Sequence, residues 1–279
     1  MKKNAQNRKS LGKNGSAILN EMSRLDKEVF SINEAREATK LEYSILKEAL
    51  SLLVKQRWLI RLERGLYLIV PFEAGQEGKW SSDPFVLASK LISPYYISHW
   101  SAASHWGWTE QLPSTVFVTS PSRKFLNEKI ILNITFRFIK ISNNKFFGIA
   151  EEWVENKKIK FSDKEKTIAD ILDRPNLCGG IKEVAKCIRN AFRENQINPQ
   201  ILTDYISKTG NRAIFKRLGY ISEVLGIFNK TWLDMWQGFV SKGYSKLDPS
   251  MSKLEKRFNS RWNLIVNVPE IELKKVIEE

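Results

Sequence analysis

The alternation of apolar and polar positions near the start of the chain predicts three helices in close succession. Residues 14–24 have the pattern of a first short helix. Ser31 and Glu34 have the spacing of a capping box and predict a second helix to about residue 38. Thr39 and Glu42 repeat this spacing and predict a third helix to about residue 56. A short helix, a tight turn and a longer helix are typical of a helix-turn-helix.

The period changes from helical to alternating directly after the third predicted helix. Residues 58–62 alternate in character, a Glu-Arg-Gly turn follows, and residues 66–70 have the pattern of a second strand. Three helices followed by a tight hairpin are the winged form of the motif. We therefore predict a winged helix-turn-helix over residues 14–72.

The rest of the chain mixes helical and alternating patterns. Strand patterns dominate to about residue 161, and helical patterns follow from about residue 162, where Ser162 and Glu165 again have capping-box spacing. The sequence thus predicts an α+β protein. Its predicted segments are a flexible basic arm (1–13), the winged helix-turn-helix (14–72), a polar linker (73–82) and a mixed α/β domain that ends in a helical region (83–279).

The positive charge of the chain is concentrated near its N-terminus. The 279 residues include 45 Lys and Arg against 31 Asp and Glu, a net charge of +14. Residues 1–70 hold 14 of these cations and 8 of the acids, a net charge of +6. A field of this sign attracts phosphate backbones or anionic membrane surfaces and carries no information about the fold.

The third predicted helix has one apolar and one polar arc. At about 100° per residue, the apolar arc holds Leu41, Ile45, Leu46, Ala49, Leu50, Leu52 and Leu53, and the opposite arc holds Lys40, Tyr43, Ser44, Lys47, Ser51 and Lys55. Any surface helix shows such a division, so the division alone is weak evidence for a recognition helix. The position of the helix in the sequence is the stronger evidence. The helix follows a tight turn, its polar arc is basic, and a hairpin with Arg64 at its tip comes next.

These positions predict an interface with double-stranded DNA. A helix fits the major groove, where each base pair presents its own donors and acceptors, and the N-terminal part of a recognition helix reads them. Tyr43, Ser44 and Lys47 are the predicted base-edge contacts, with Lys47 the best donor to guanine, and Ser51 lies on the same arc. The residues predicted to bind phosphates, which position the protein without carrying sequence information directly, are Lys40, Lys55, Arg61 and Arg64.

Cysteine content and hydropathy indicate a cytoplasmic protein. Cys178 and Cys187 form no CxxC pair, and we expect buried free thiols in a reducing compartment. No run approaches 18 consecutive apolar residues, and the basic start of the chain lacks the apolar core of a secretory signal. We expect no association with a membrane.

Side chains with catalytic or metal-binding chemistry are few and poorly grouped. His99 and His105 are the two histidines and lack neighbouring ligands, so the sequence predicts no zinc site. Nucleophile-elbow, P-loop and dinucleotide-binding motifs are absent from the sequence. The aromatic residues at 95, 96, 100, 106 and 108 are able to stack on single-stranded bases, but core packing is the preferred interpretation. We predict no catalytic residue, metal or cofactor.

An acidic cluster leaves one enzymatic alternative open. One predicted helix carries four acids and two lysines in an arrangement that resembles a Mg²⁺-dependent nuclease site: Asp163, Lys164, Glu165, Lys166, Asp170 and Asp173. The preferred interpretation is structural, because Asp163 and Glu165 at the start of the helix suit its dipole. The alternatives to a DNA-binding regulator are therefore a nuclease-like enzyme and a protein-interaction module.

Five stretches, taken in order along the chain, carry a family resemblance. They are RGLYLIV at 64–70, YISHWSAASHWG at 96–107, TEQLPSTVFVTSP at 109–121, KTIADILDRPNLCGGIKEV at 166–184 and KRLGYISEVLG at 216–226. Together they resemble the AbiEi family, the antitoxins of type IV toxin–antitoxin systems, and the stretch at 166–184 is the most specific. The resemblance extends from about residue 14 to about residue 268, and the Trp-rich segment 99–108 departs from the usual aliphatic pattern.

This resemblance implies an autorepressor that also neutralises a toxin. Family members bind inverted repeats in their own promoter through the N-terminal domain, while the C-terminal domain assists repression and carries the antitoxic activity. The toxin in such systems is a nucleotidyltransferase-like protein, and its neutralisation is generally thought not to require a stable complex. These expectations follow from the resemblance alone, which assigns no residue to neutralisation.

Overall fold

The structure, a computed structural model, describes residues 11–71, 74, 83–111, 114–124, 126–194, 196–251 and 257–278. The chain divides into two compact units, Met1–Ser82 and Asp83–Glu279, named the N-terminal unit and the C-terminal unit. Both contain helices and strands, so the fold is a mixed α and β fold. Most of the predicted basic arm and of the predicted linker lies outside the described residues.

The described part of the N-terminal unit contains three helices and three short strands. In chain order they are α1 (Lys13–Arg24), β1 (Val29–Ser31), α2 (Ile32–Thr39), α3 (Tyr43–Lys55), β2 (Leu59–Glu63) and β3 (Leu66–Ile69). The strands form an antiparallel sheet in the order β1-β3-β2. Apolar side chains at helical spacing fill the core between helices and sheet, among them Ile18, Met22, Phe30, Leu46, Leu50 and Leu53.

The sequence does not predict strand β1. Its three residues are too few to show an alternating pattern. The strand pairs with β3, and Phe30 at its centre is fully buried and stacks on Tyr67 with ring centroids 5.9 Å apart. The predicted two-stranded hairpin is therefore part of a three-stranded sheet.

One of the two capping boxes predicted in this unit is confirmed and the other is wrong. Ser31 Oγ accepts a hydrogen bond from the Glu34 backbone N–H (3.2 Å), and the Glu34 carboxylate accepts one from the Ser31 N–H (2.7 Å). Thr39 instead ends α2, where its hydroxyl donates to a carbonyl of the preceding turn. The chain turns at Lys40, which has a left-handed φ of 55°, and α3 begins after Glu42, whose side chain makes no capping bond.

The apolar arc predicted for α3 is only partly buried. Leu46 and Leu50 are fully buried, whereas Ile45 and Leu52 are 43% and 47% exposed. Ile45 and Leu52 are seven residues apart and therefore lie on the same line along the helix. The surface of α3 thus carries an apolar strip beside its polar face.

Strands β2 and β3 form a short hairpin whose register shifts between Arg61 and Glu63. The shift interrupts the predicted alternation, because Leu59 and Leu62 are both buried. Gly65 has a φ of 77° in the turn, and its carbonyl accepts a hydrogen bond from the first backbone N–H of α2 (2.8 Å). The hairpin turn is therefore held against the start of α2.

A six-stranded mixed sheet dominates the first half of the C-terminal unit. Its elements are α4 (Pro84–Leu91), β4 (Tyr96–Ile97), α5 (His99–His105), β5 (Thr115–Ser120), β6 (Glu128–Ile131), β7 (Ile134–Lys140), β8 (Ile149–Val154) and β9 (Lys157–Ser162). The strand order is β6-β7-β5-β4-β9-β8, in which β5 pairs with β7 and β4 with β9 in parallel. The sequence has two long β-patterned runs, at 130–141 and 146–161, and each folds back as an antiparallel hairpin, β6-β7 and β8-β9.

Helices dominate the second half of this unit. Its elements are α6 (Lys164–Asp173), α7 (Ile181–Arg193), α8 (Pro199–Thr209), α9 (Ala213–Leu225), α10 (Lys230–Gln237), β10 (Ser245–Lys246), β11 (Arg257–Asn259), β12 (Leu264–Val266) and α11 (Glu270–Glu278). Strands β10, β12 and β11 form a second sheet in that order. The helices enclose an apolar core that includes the fully buried Trp108, Trp236 and Trp262.

The start of α6 corrects a third predicted cap. Asp163 rather than Ser162 is the N-cap, and its carboxylate accepts a hydrogen bond from the Lys166 N–H (2.8 Å). Ser162 is the last residue of β9, where its hydroxyl bonds the Thr167 hydroxyl (2.7 Å). The sequence also does not predict β10, β11 and α11, since elements of two, three and nine residues show little periodicity.

Two expectations about the interior of the C-terminal unit are confirmed. Cys178 and Cys187 are free and buried. Tyr95, Tyr96 and Trp108 are buried in the core, as the preferred interpretation of the aromatic cluster predicts. Among the described residues, no helix combines the length and the apolar character that crossing a membrane requires.

Candidate nucleic-acid interface

All eight side chains predicted to contact DNA are exposed on the N-terminal unit. Five lie on α3, one in the turn before it and two in the β2-β3 hairpin. They are Tyr43, Ser44, Lys47, Ser51 and Lys55 on α3, Lys40 in the turn, Arg61 on β2 and Arg64 at the hairpin turn. The structure therefore leaves each of them accessible to solvent.

The exposed face of α3 carries a row of cations and hydroxyl groups. Residues four apart on a helix lie above one another, so Tyr43, Lys47, Ser51 and Lys55 form one continuous row. The helix has 13 residues, which gives a length of about 20 Å. Donors aligned along one exposed helix have the geometry that base edges in a major groove require.

Tyr43 lies between two cations at the start of α3. It is 45% exposed, and the Arg36 guanidinium and the Lys47 Nζ lie 5.9 Å and 5.7 Å from its ring centroid. Cations at this distance from an aromatic face are attracted to it, so the three groups form one cluster. Sequence reasoning missed Arg36. The signal that points to it is its place on the helix before the turn, because the first helix of a helix-turn-helix crosses the DNA backbone.

Two acids limit the cationic character of this surface. The Ser44 hydroxyl donates to the Glu42 carboxylate, and this hydrogen bond is the main reason that the pKa of Glu42 is lowered. Glu48 is exposed on the side of the row that faces the apolar strip of Ile45 and Leu52. Since its hydroxyl is engaged, Ser44 is the weakest of the three predicted base-edge contacts.

The hairpin holds its two arginines in different ways. Arg61 on β2 donates from Nε to the Glu63 carbonyl (3.3 Å), which keeps its guanidinium along the strand. Arg64 is exposed in the turn, and the hydrogen bond from α2 to the Gly65 carbonyl fixes the backbone of that turn. The hairpin therefore presents Arg64 from a positioned backbone beside the start of α2.

The acidic cluster on α6 is divided among separate structural partners. Asp163 caps the helix and accepts a hydrogen bond from the Tyr205 hydroxyl (3.0 Å), while Asp170 is ion-paired with the Lys166 ammonium. Glu165 accepts a hydrogen bond from the backbone N–H just before α8 (2.7 Å). In the part of the chain that the structure describes, no group of three or more His, Cys, Asp or Glu is placed to hold a metal ion.

The two histidines of the C-terminal unit have separate environments. His99 is 3% exposed, its Nδ1 lies 2.8 Å from Ser98 Oγ, and burial lowers its pKa to about 4. His105 stacks on Phe161 with ring centroids 3.8 Å apart, and burial lowers its pKa as well. Both imidazoles are therefore neutral at pH 7.

The fold and this surface define a mixed α and β protein with an exposed, cation-bearing helix in its N-terminal unit. No family model matches the chain, and no curated protein matches it. Among solved structures, the chain is similar to the crystal structure of the RV2827C protein from Mycobacterium tuberculosis. The TM-score is 0.70 at 14% sequence identity, and the match covers 98% of each chain. A likeness at this identity shows a shared fold and carries no conclusion about function.

Proposed function

We propose that the N-terminal unit is a winged helix-turn-helix that binds double-stranded DNA through α3. One observation supports this most strongly: after a tight turn, α3 presents an exposed row formed by Tyr43, Lys47, Ser51 and Lys55. Helices α2 and α3 supply the helix-turn-helix, and the β2-β3 hairpin supplies the wing. The opposite face of α3 is buried in the core, so a rigid scaffold holds the row.

In this proposal α3 lies in the major groove with its first turns against the base edges. Tyr43 and Lys47 are the principal base-edge contacts, and the cation cluster around Tyr43 fixes the direction of both side chains. Phosphates on either side of the groove are bound by cations that position the protein: Arg36, Lys40, Lys55, Arg61 and Arg64.

We further propose that the chain represses its own promoter at inverted repeats and acts as a cytoplasmic antitoxin of a type IV-like system. This half of the proposal is supported by the resemblance of five sequence stretches to the AbiEi family. The toxin is then a nucleotidyltransferase-like protein that is neutralised without a stable complex, and the chain has no catalytic residue or cofactor. A neighbouring reading frame that encodes such a protein supports this half, and its absence removes the support.

Fluorescence anisotropy with a labelled duplex from the region upstream of the chain's own reading frame tests DNA binding. Full-length protein should bind this duplex more tightly than a scrambled one, and binding should weaken as the salt concentration rises, because phosphate contacts release counterions. Lys47→Ala should weaken specific binding by about 1–3 kcal/mol, since it removes a donor to a base edge.

Lys242→Ala is the matched control, because it removes an exposed lysine of the C-terminal unit and the same unit of charge. It should leave the affinity for the duplex nearly unchanged. An unchanged affinity in Lys47→Ala, or equal losses in both variants, contradicts the role of α3. Added Mg²⁺ distinguishes the nuclease alternative, since a regulator binds the duplex and leaves it uncut. A protein that binds no duplex fits the interaction-module alternative.

A further inference from the structure

A cavity of about 650 Å³ opens in the C-terminal unit. It lies where β5 and β7 run parallel and end side by side, at the pair formed by Ser120 and Lys140. Tyr96, Thr119 and Ile139 are register neighbours that line one side, and residues of α6 line another. Small-molecule pockets typically measure about 300–1,000 Å³, and ligands of open sheets bind beyond the carboxyl ends of parallel strands.

The inner wall of the cavity carries a buried ammonium with unused hydrogen-bond donors. Lys166 is 2% exposed, and its Nζ is ion-paired with the Asp170 carboxylate, whose second oxygen accepts from the Tyr96 hydroxyl (3.3 Å). The rings of Tyr96 and Phe147 lie 5.5 Å and 5.2 Å from Nζ and attract its charge. An ammonium has three N–H donors, and within the described residues Asp170 is the one acceptor bonded to it. Donors of Lys166 therefore remain for a ligand.

His99 adds a second polar group to the cavity wall. Its Nδ1 is bonded to Ser98 Oγ, which in turn bonds the Thr119 hydroxyl (2.7 Å). Nε2 has no hydrogen-bond partner in the described part of the chain, so it is left for an occupant of the cavity. His99 is also held at a φ of 51°, and backbone strain of this kind is concentrated at ligand and active sites.

The mouth of the cavity is cationic. Lys140 and Arg174 are exposed and Lys145 is half-buried, and none of the three has an ion-pair partner among the residues that the structure describes. The carboxylate at the mouth, Asp173, accepts a hydrogen bond from the Asn211 side chain (2.5 Å). The charges of Lys166 and Asp170 cancel each other. The three cations of the mouth and the carboxylate of Asp173 then give the lining a net charge of +2.

We propose that this cavity binds a small phosphomonoester, with its phosphate between the buried Lys166 and the cationic mouth of Arg174, Lys145 and Lys140. A phosphomonoester carries a charge close to −2 at neutral pH and three acceptor oxygens, which match the net charge and the free donors of the lining. Arg174 adds a planar pair of donors suited to phosphate. A cavity of this volume holds a sugar phosphate or a mononucleotide, whereas a duplex is far too wide to enter it.

Calorimetric titration of full-length protein with inorganic phosphate, ribose 5-phosphate and AMP tests the proposal, with adenosine as the phosphate-free control. The phosphate-bearing probes should bind, and adenosine should not. Equal affinity for all three phosphate-bearing probes identifies free phosphate as the occupant. Equal affinity for ribose 5-phosphate and AMP, with weaker binding of inorganic phosphate, identifies a sugar phosphate. Tighter binding of AMP than of ribose 5-phosphate identifies a nucleotide. Absence of binding of every probe at millimolar concentration overturns the proposal.

Variants at the mouth separate this site from other cationic surfaces. Arg174→Ala should weaken the best probe about tenfold, because it removes charged hydrogen bonds to phosphate. Arg193→Ala, an exposed arginine at the end of α7, is the matched control and should bind normally. Lys47→Ala should also bind the best probe normally. A failure of this proposal can therefore be distinguished from a failure of the DNA proposal. Undiminished binding in a variant that combines Arg174→Ala with Lys145→Ala overturns the cavity as the site.

Discussion

Lys47 and Lys166 are both helical lysines whose ammonium groups lie over a tyrosine ring, at 5.7 Å from Tyr43 and 5.5 Å from Tyr96. The two lysines differ in their surroundings, because Lys47 is exposed while Lys166 is buried against Asp170. Removal of Lys47 leaves no buried group without a partner, whereas removal of Lys166 leaves a buried carboxylate without its counter-ion. Lys47 is therefore the cleaner position for a functional test.

His99 makes the stability of the C-terminal unit depend on pH. Burial lowers the pKa of its imidazole to about 4, from a value of 6.5 in the unfolded chain. Between these two pKa values the unfolded chain binds a proton that the folded chain does not bind. The contribution of neutral His99 is therefore fully present above about pH 6.5 and is lost as the pH falls towards 4.

His99→Asn should remove this pH dependence, because Asn does not titrate and tolerates the left-handed φ at this position. Urea denaturation at pH 7.5 and pH 5.0, followed by tryptophan fluorescence, measures the effect. Between the two pH values the parent should lose about 2 kcal/mol more unfolding free energy than the variant. Equal losses in the two proteins contradict a buried, neutral His99.

At the scale of elements, the sequence predicts best where one pattern spans several turns. The sequence predicts helices at 181–193 and 199–208, and the observed bounds of α7 and α8 differ from these by at most one residue. Both helices are amphipathic, and they begin next to Gly180 and at Pro199. Strands β1, β10 and β11 have only two or three residues and show no period, so the sequence does not predict them. The cap predictions at Thr39 and Ser162 are wrong because both hydroxyl groups bond elsewhere, which residue spacing does not reveal.

The α3 row and the cavity of the C-terminal unit differ in how far the sequence predicts them. The α3 row belongs to one helix, so the helical period alone predicts that Tyr43 and Lys47 lie on one face. The cavity combines residues of β4, α5, β5, β7 and α6, and His99, Lys140 and Lys166 are distant from one another along the chain. The sequence places Lys166 and Asp170 on one predicted helix but does not show that they line a cavity.

Gly219 in α9 gives a prediction at the scale of helix packing. Replacing a helical glycine by alanine normally stabilises an exposed helix by about 1 kcal/mol. Here a Cβ at Gly219 would overlap the fully buried indole ring of Trp262. Gly219→Ala should therefore lower the unfolding free energy of the C-terminal unit by about 1–3 kcal/mol, as overpacked cores do, and the urea midpoint measures this change.

A second substitution shows whether the overlap is the cause. Trp262→Leu in the Gly219→Ala background makes room for the added methyl group, so the two losses should be clearly less than additive. Strict additivity, or a Gly219→Ala protein that is more stable than the parent, contradicts the close packing of α9 against Trp262.

At the scale of the whole chain, the two proposals place anion binding in different units. The N-terminal unit offers an exposed row on α3 in the part of the sequence where positive charge is densest. The C-terminal unit offers a cavity with a buried ammonium. An open row suits a polyanion that extends along the surface, and a cavity suits a single phosphate group. Variants in one unit should therefore leave ligand binding in the other unchanged.

Chemical protection of a single introduced thiol tests the placement of α3 on DNA most directly. Both native cysteines are buried, so a thiol reagent modifies chiefly an exposed cysteine introduced by Ser51→Cys. Ser51 belongs to the α3 row, and Ser23→Cys, at an exposed position on α1, is the matched control. The rate of alkylation is measured with and without a saturating concentration of the upstream duplex.

A bound duplex should slow alkylation of the Ser51→Cys protein strongly and leave the Ser23→Cys protein unchanged. The protection should disappear at high salt, where the duplex dissociates. Equal alkylation rates of the Ser51→Cys protein with and without bound duplex would contradict the proposal that α3 lies in a groove of DNA.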